Sequence, residues 1–231
     1  MKHQSIALIP ARGGSKRIPR KNLVTLGGIP LVAHSILSAK KSKYLKNRIF
    51  VSTEDSEIAK VAQKYGARVI NRPKVLATDK VRTLSILKHT VEVLEKEKVK
   101  FDTVVLLQTT SPFRKTATID KGIKKLWDNW NKYKLILSVK PSKFPPNWLL
   151  RIKDENLEFI LPNDFSSIRS QDFEKTYEID GVLYVYNKDH LMNSKIYPFT
   201  PNESGYIVTT KFETMDIDDQ EDLTIARKLV R

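Results

Sequence analysis

Short β-rich runs alternate with helical stretches over the first 140 residues or so, and that rhythm leaves few folds open. Ser5–Pro10 (SIALIP) reads as a buried strand. Pro30–Lys41 carries Leu31, Val32, Ile36 and Leu37 at helical spacing, and Pro30 suits a first turn. Arg48–Ser52 is a second strand. Asp55 caps a helix that runs to about Tyr65, and Gly66 ends it. Ala67–Asn71 is a third strand and Thr83–Lys98 a long amphipathic helix. Thr103–Gln108 (TVVLLQ) is nearly all apolar, as a strand inside a parallel sheet must be. Thr116–Trp130 and Leu135–Val139 add a helix and a strand. This spacing predicts right-handed βαβ units and an α/β fold: a doubly wound, mostly parallel, Rossmann-like sheet.

The rhythm changes after residue 140. Pro141, Pro145, Pro146 and Pro162 punctuate a stretch without clear helices. Val182–Tyr186 and Tyr206–Thr210 read as returning strands, and Asp219–Arg231 as a closing helix. The expectation is one domain over 1–231, with an inserted arm over about 140–180.

The 231 residues suffice for one domain with a full core, and 40% hydrophobic residues exclude a disordered chain. No stretch approaches a membrane span, and the apolar run before Pro10 is too short for a signal peptide. A cytoplasmic protein without membrane contact is expected. With no cysteine, disulfides and thiolate metal sites are excluded. The net charge of +15 attracts polyanions. Its lysines are scattered, and no basic run is interleaved with aromatics, so nucleic acid is not the expected partner.

Open α/β sheets bind ligands at the C-terminal ends of their strands. The first such end reads Ala11-Arg12-Gly13-Gly14-Ser15-Lys16-Arg17-Ile18-Pro19-Arg20-Lys21-Asn22. Gly13 and Gly14 let the backbone turn and offer amides to an anion. Arg12, Lys16, Arg17, Arg20 and Lys21 supply positive charge. Amides and cations together are what a triphosphate requires. The loop is neither a Walker-type phosphate loop nor the dinucleotide Gly-x-Gly-x-x-Gly.

Near the other end, Met215-Asp216-Ile217-Asp218 alternates. In extended chain, Asp216 and Asp218 face one side and Ile217 the other. Two carboxylates beside phosphates suit Mg2+, which takes hard oxygen ligands. By itself the pattern serves equally as a helix cap, with Asp218 or Asp219 capping the helix that follows.

The string from Ile9 to Asn22 resembles the first-strand motif of the cytidylyltransferases that activate nonulosonic acids such as sialate, legionaminate and pseudaminate. Further resemblances span nearly the whole chain. Arg72-Pro73 with Leu76-Ala77-Thr78-Asp79 is similar to the family's base-recognition segment. Leu107-Gln108-Thr109-Thr110-Ser111-Pro112-Phe113-Arg114 is similar to its Leu-Gln-Pro-Thr-Ser-Pro-Leu-Arg, with Thr109 in place of proline. The resemblance implies that CTP and an acidic sugar are joined with release of pyrophosphate. Arg12 and Lys21 would stabilise the leaving pyrophosphate, and Ala11, Gly13, Gly14, Asn22, Arg72, Thr78 and Thr83 would hold the nucleotide. Asp216 and Asp218 would bind Mg2+. On the sugar side it implies Gln108, Thr109, Ser111, Arg169, Asp180 and Tyr184. It also implies a homodimer built through the inserted arm. Two departures bear on the sugar. Asp180 stands where many relatives carry Asn, and Trp148 where sialate enzymes carry Lys. A Kdo-type or other sugar nucleotidyltransferase and a basic nucleic-acid-binding module remain the alternatives.

Overall fold

A computed structural model of the chain describes residues 3–161, 174–195 and 199–230. β1 (Ser5–Pro10) is followed by a loop and a small antiparallel pair, β2 (Thr25–Leu26) and β3 (Ile29–Pro30), which leads into α1 (Leu31–Lys40). β4 (Ile49–Thr53), α2 (Ser56–Lys64), β5 (Arg68–Asn71), α3 (Thr83–Lys96) and β6 (Thr103–Leu106) continue the alternation. α4 (Thr116–Asp128) leads to β7 (Leu135–Pro141) and then to a hairpin, β8 (Leu150–Lys153) with β9 (Asn156–Phe159). β10 (Tyr177–Asn187), α5 (Lys188–Asn193), β11 (Ser204–Val208) and α6 (Gln220–Leu229) complete the chain.

Seven strands form one sheet in the order β11-β7-β10-β6-β1-β4-β5. Only β10 among them runs antiparallel to its neighbours. The chain steps outward from β1 to β4 and β5, then crosses back to lay β6 on the other side of β1. The strand order therefore reverses between β1 and β6, and a crevice opens there at the strands' C-terminal ends.

β1 sits centrally because both of its faces are apolar. Ala7 and Ile9 join one core layer with Val32 and Ile36 of α1, Ile58 of α2 and Ile119 and Ile123 of α4. Ile6 and Leu8 point the other way, toward Leu87, Val91 and Leu94 of α3. Each fully buried Leu or Ile contributes about 1.5–3 kcal/mol. α4 approaches β10 so closely that a Cβ on Gly122 would lie 2.5 Å from Leu183 Cδ2. A third cluster joins Ile18, Leu26 and Leu31 to Ile217, Leu223 and Ala226. It fastens α6 beneath the loop that follows β1.

Several boundaries differ from the sequence reading. β10 is eleven residues long and begins five residues before Val182. Its first three residues are exposed, so they carry no burial pattern to read. β8 and β9 were hidden for the same reason: all but one of their residues are exposed. α5 was not expected. Its six residues bury only Leu191. Among the described residues, no helix is long and apolar enough to cross a membrane.

Candidate active site

A cleft of about 630 Å3 lies over the crevice. Its walls come from the loop after β1, the segment from Arg72 to Thr83, the end of β6 and Asp218. Ala11 is buried at the base of the first loop. Asn22 locks that loop. Its Nδ2 donates to the Arg12 carbonyl at 2.8 Å, and its Oδ1 is buried with no hydrogen-bond partner among the described residues. The Gly13 amide donates to Glu54 Oε1 at 2.7 Å. A Cβ on Gly13 would meet Asp55 Oδ2 at 2.5 Å, so only glycine fits. Asp55 cannot retreat, because its Oδ1 caps α2 through the amides of Glu57 and Ile58. Gly14 has open space around it.

Four of the loop's five cations face the cleft, and each is paired with a carboxylate there. Arg12 and Lys16 each lie 2.6 Å from Asp79. Lys16 and then Arg12, as hydrogen-bond donors, hold the Asp79 carboxyl below the usual carboxylate range. Lys21 Nζ lies 3.2 Å from Asp218 Oδ1 and donates to the Ile217 carbonyl at 2.9 Å. Arg17 reaches Asp218 Oδ2 at 3.3 Å. Arg20 turns away to Asp55 and Glu57, and so leaves the phosphate set that the sequence suggested.

Arg72 is buried, not a surface cation. Its Nε and Nη2 donate to Ser52 Oγ and to the Ser52 carbonyl at 3.2 and 2.5 Å. Burial, and then the charge of Arg12, lower its pKa from the usual guanidinium value, while Glu54 opposes them. Thr78 and Thr83 line the same wall. Thr83 is the first residue of α3.

Gln108 and Thr109 line the cleft where the chain leaves β6. Ser111 is buried beside them, and its hydroxyl has no hydrogen-bond partner among the described residues. The Ile217 amide donates to the Thr110 carbonyl at 2.8 Å, which draws the late acidic segment against this edge. Ile217 is fully buried in the third cluster, with Asp216 and Asp218 flanking it. Asp219, not Asp218, caps α6, and its reciprocal partner is Asp222. Asp218 is thereby left to the cleft. Desolvation, and then the neighbouring charge of Asp218, push the Asp216 carboxyl above its ordinary value against a hydrogen bond from Thr110. Asp218 lines the cleft and Asp216, exposed, does not; both are hard-oxygen donors of the kind a divalent cation takes. Among the described residues no group of three or more such side chains forms, so the remaining ligands would have to be phosphate oxygens and water.

The sugar side needs correction. Asp180 does not line the cleft. Its Oδ1 accepts from Ser138 Oγ and from the Val182 amide (3.0 Å), and its Oδ2 accepts from Thr209 Oγ1. Both oxygens are thus turned inward, toward β7, β10 and the residue that follows β11. Tyr184 is likewise behind the wall, stacked at 3° on Tyr186 within the core. Arg169 lies outside the described residues. Three functional candidates, Glu54, Asp79 and Arg114, were given no role by the sequence, although Asp79 and Arg114 fall inside the segments that carry the resemblance. Each earns its place through partners far away in the chain.

A cytidylyltransferase family model matches residues 6–228. An N-acylneuraminate cytidylyltransferase of Escherichia coli is 31% identical over 98% of this chain, which spans 52% of that protein's length. A CMP-N,N'-diacetyllegionaminic acid synthase of Legionella pneumophila is 34% identical, covering 97% of this chain and 95% of its own. Among solved structures, a CMP:2-keto-3-deoxy-manno-octonic acid synthetase complexed with CTP superposes with a TM-score of 0.71 at 18% identity, covering 98% of each chain. That likeness concerns the fold. The cationic cleft, the crevice at the strand reversal and the match over nearly every residue agree: this chain belongs to the cytidylyltransferase family.

Proposed function

We propose that the protein transfers the cytidylyl group of CTP to a nonulosonic acid, giving the CMP-sugar and pyrophosphate. The observation that carries this reading is the cleft in which Arg12, Lys16, Arg17 and Lys21 converge on one side and Asp218 on the other. The triphosphate exchanges places with the carboxylates that now pair with those cations. Arg12 and Lys21 then neutralise the charge that develops on the departing pyrophosphate. The orphan Oδ1 of Asn22 accepts from a nucleotide hydroxyl or amine. Arg72, fixed by Ser52, keeps one nitrogen for the base. Mg2+ held by Asp216 and Asp218 would screen the phosphates and lower the pKa of the attacking anomeric hydroxyl. No histidine competes for the role of base at this wall. His34, for example, bonds the Leu26 carbonyl inside the fold.

The named relatives act on sialate and legionaminate sugars, which supports an acidic sugar of this class. The reading implies the cytoplasm, where CTP is made. A homodimer through the arm is part of it. The arm's hairpin exposes Leu150, Ile152, Leu157 and Phe159, an apolar surface suited to a second copy. The test is pyrophosphate release with each of CTP, UTP, ATP and GTP against a panel of 2-keto acid sugars including Kdo. Release with CTP and a nonulosonic acid is expected. No release with CTP and any of these sugars would overturn the reading.

A further inference from the structure

We propose that Arg114 is a positioning residue that fixes the Gln108 side chain at the sugar side of the cleft, an inference resting on the cytidylyltransferase reading above.

An arginine in a loop before a helix ordinarily points into water. Arg114 does not: only 4% of it is exposed. Burial lowers its pKa to about 10, with the charges of Asp216, Asp180 and Glu213 opposing, so it remains a cation at neutral pH. Such a group survives only if its donors are matched. Nε donates to the Val182 carbonyl at 2.5 Å, Nη1 to Ser35 Oγ at 3.2 Å and Nη2 to the Gln108 carbonyl at 2.7 Å.

These three partners are not arbitrary pieces of core. The Gln108 carbonyl also accepts from Ser35 Oγ at 3.1 Å, so two donors fix the backbone of a residue whose side chain lines the cleft. Val182 sits in the kink of β10, where the register against β7 shifts between Ile179 and Tyr184. Its amide is held by Asp180 and its carbonyl by Arg114. Just before it, Gly181 has φ +76°, and a Cβ built there would lie 3.6 Å from Gln108 Nε2. The Gln108 amide therefore rests over the kink. One planar guanidinium sets the gap between the end of β6 and that kink, and the gap aims the amide. A lysine ammonium keeps the charge but cannot span three acceptors in one plane.

A misplacement of about 1 Å at such a group costs roughly 100-fold in rate. In R114K we expect kcat/KM for the sugar acid to fall by about that factor while the KM for CTP stays within about twofold. Q108A should show the same loss, and R114K/Q108A should be no worse than Q108A alone. S35A, which removes a donor to the Gln108 carbonyl and an acceptor from Arg114, should fall in between. A purely structural role would instead lower the folded fraction and scale both substrates together. Additive losses in the double variant would overturn the proposal. A second readout needs no turnover. The Gln108 side-chain amide should give a dispersed pair of 15N–1H signals in the wild type that moves to free-glutamine shifts in S35A or R114K. Unchanged signals would overturn the proposal. Wild type inactive with every sugar acid would instead count against the reading it rests on.

Discussion

Lys21→Met separates the catalytic from the structural work of the most enclosed cation of the loop after β1. Methionine preserves the length and the apolar stem and removes only the ammonium. The Lys21 side chain is 14% exposed and its partner Asp218 is 42% exposed. With the partner wetted, the lost pair costs about 1 kcal/mol of stability at most. For a chain of this size that lowers the melting temperature by about 2–4 °C. Catalysis should suffer far more. Two unit charges about 4 Å apart at an effective dielectric near 20 interact by about 4 kcal/mol. Removal of one preorganised group from a developing anion typically costs about 3–4 kcal/mol, or roughly 100- to 1000-fold in kcat. Single-turnover pyrophosphate release at saturating CTP, beside a thermal melt, reads both effects. Lys21→Arg should recover part of the rate. A Lys21→Met kcat within about fivefold of the wild type would refute the assignment of Lys21 to the leaving group.

Asp216→Asn and Asp218→Asn should each lower kcat by at least about 100-fold and raise the Mg2+ concentration needed for half-maximal rate, and chelation should abolish turnover; undiminished rates in EDTA would contradict the metal assignment. Asp79→Asn should free Arg12 and Lys16 for phosphate, so the inhibition constant of pyrophosphate should fall, and a rise would show that Asp79 supports the anion instead of competing with it. Glu213 is buried, which alone would raise its pKa, but hydrogen bonds from Thr118, Thr210 and the Lys115 amide outweigh this and hold it below the ordinary glutamate range. The folded state therefore binds its proton less readily than the unfolded chain. Its contribution is complete above the ordinary glutamate range and disappears as pH falls through the depressed value. Urea denaturation should show the gap between wild type and Glu213→Gln narrowing on acidification, and a constant gap would contradict this.

The parts legible in the sequence share a physical origin. β1, α1, α2 and α3 bury whole faces, so their periodicities survive in the sequence. Asp55 and Gly66 mark the ends of α2 by local rules, capping and left-handed backbone (φ +90° at Gly66), that need no tertiary context. The loop after β1 was legible because its glycines and cations are contiguous. What stayed hidden depends on contacts across the chain. Arg72 and Arg114 look like surface cations until Ser52, Ser35 and two strand carbonyls enclose them. Asp180 read as a substrate contact from the resemblance alone, and its partners, Ser138 on β7 and Thr209 just after β11, are distant in the chain. The hairpin β8–β9 is exposed, and exposed strands leave no alternation to detect.

The central claim is nucleotidyl transfer in this cleft. It is tested most directly by incubating the protein with CTP labelled at the α-phosphorus, a nonulosonic acid and Mg2+, and following the label. The label should appear in a CMP-sugar, with one pyrophosphate released for each CMP-sugar formed, and Arg12→Ala should remove both. Label found only in free CMP, or a faster reaction with another nucleoside triphosphate, would contradict it.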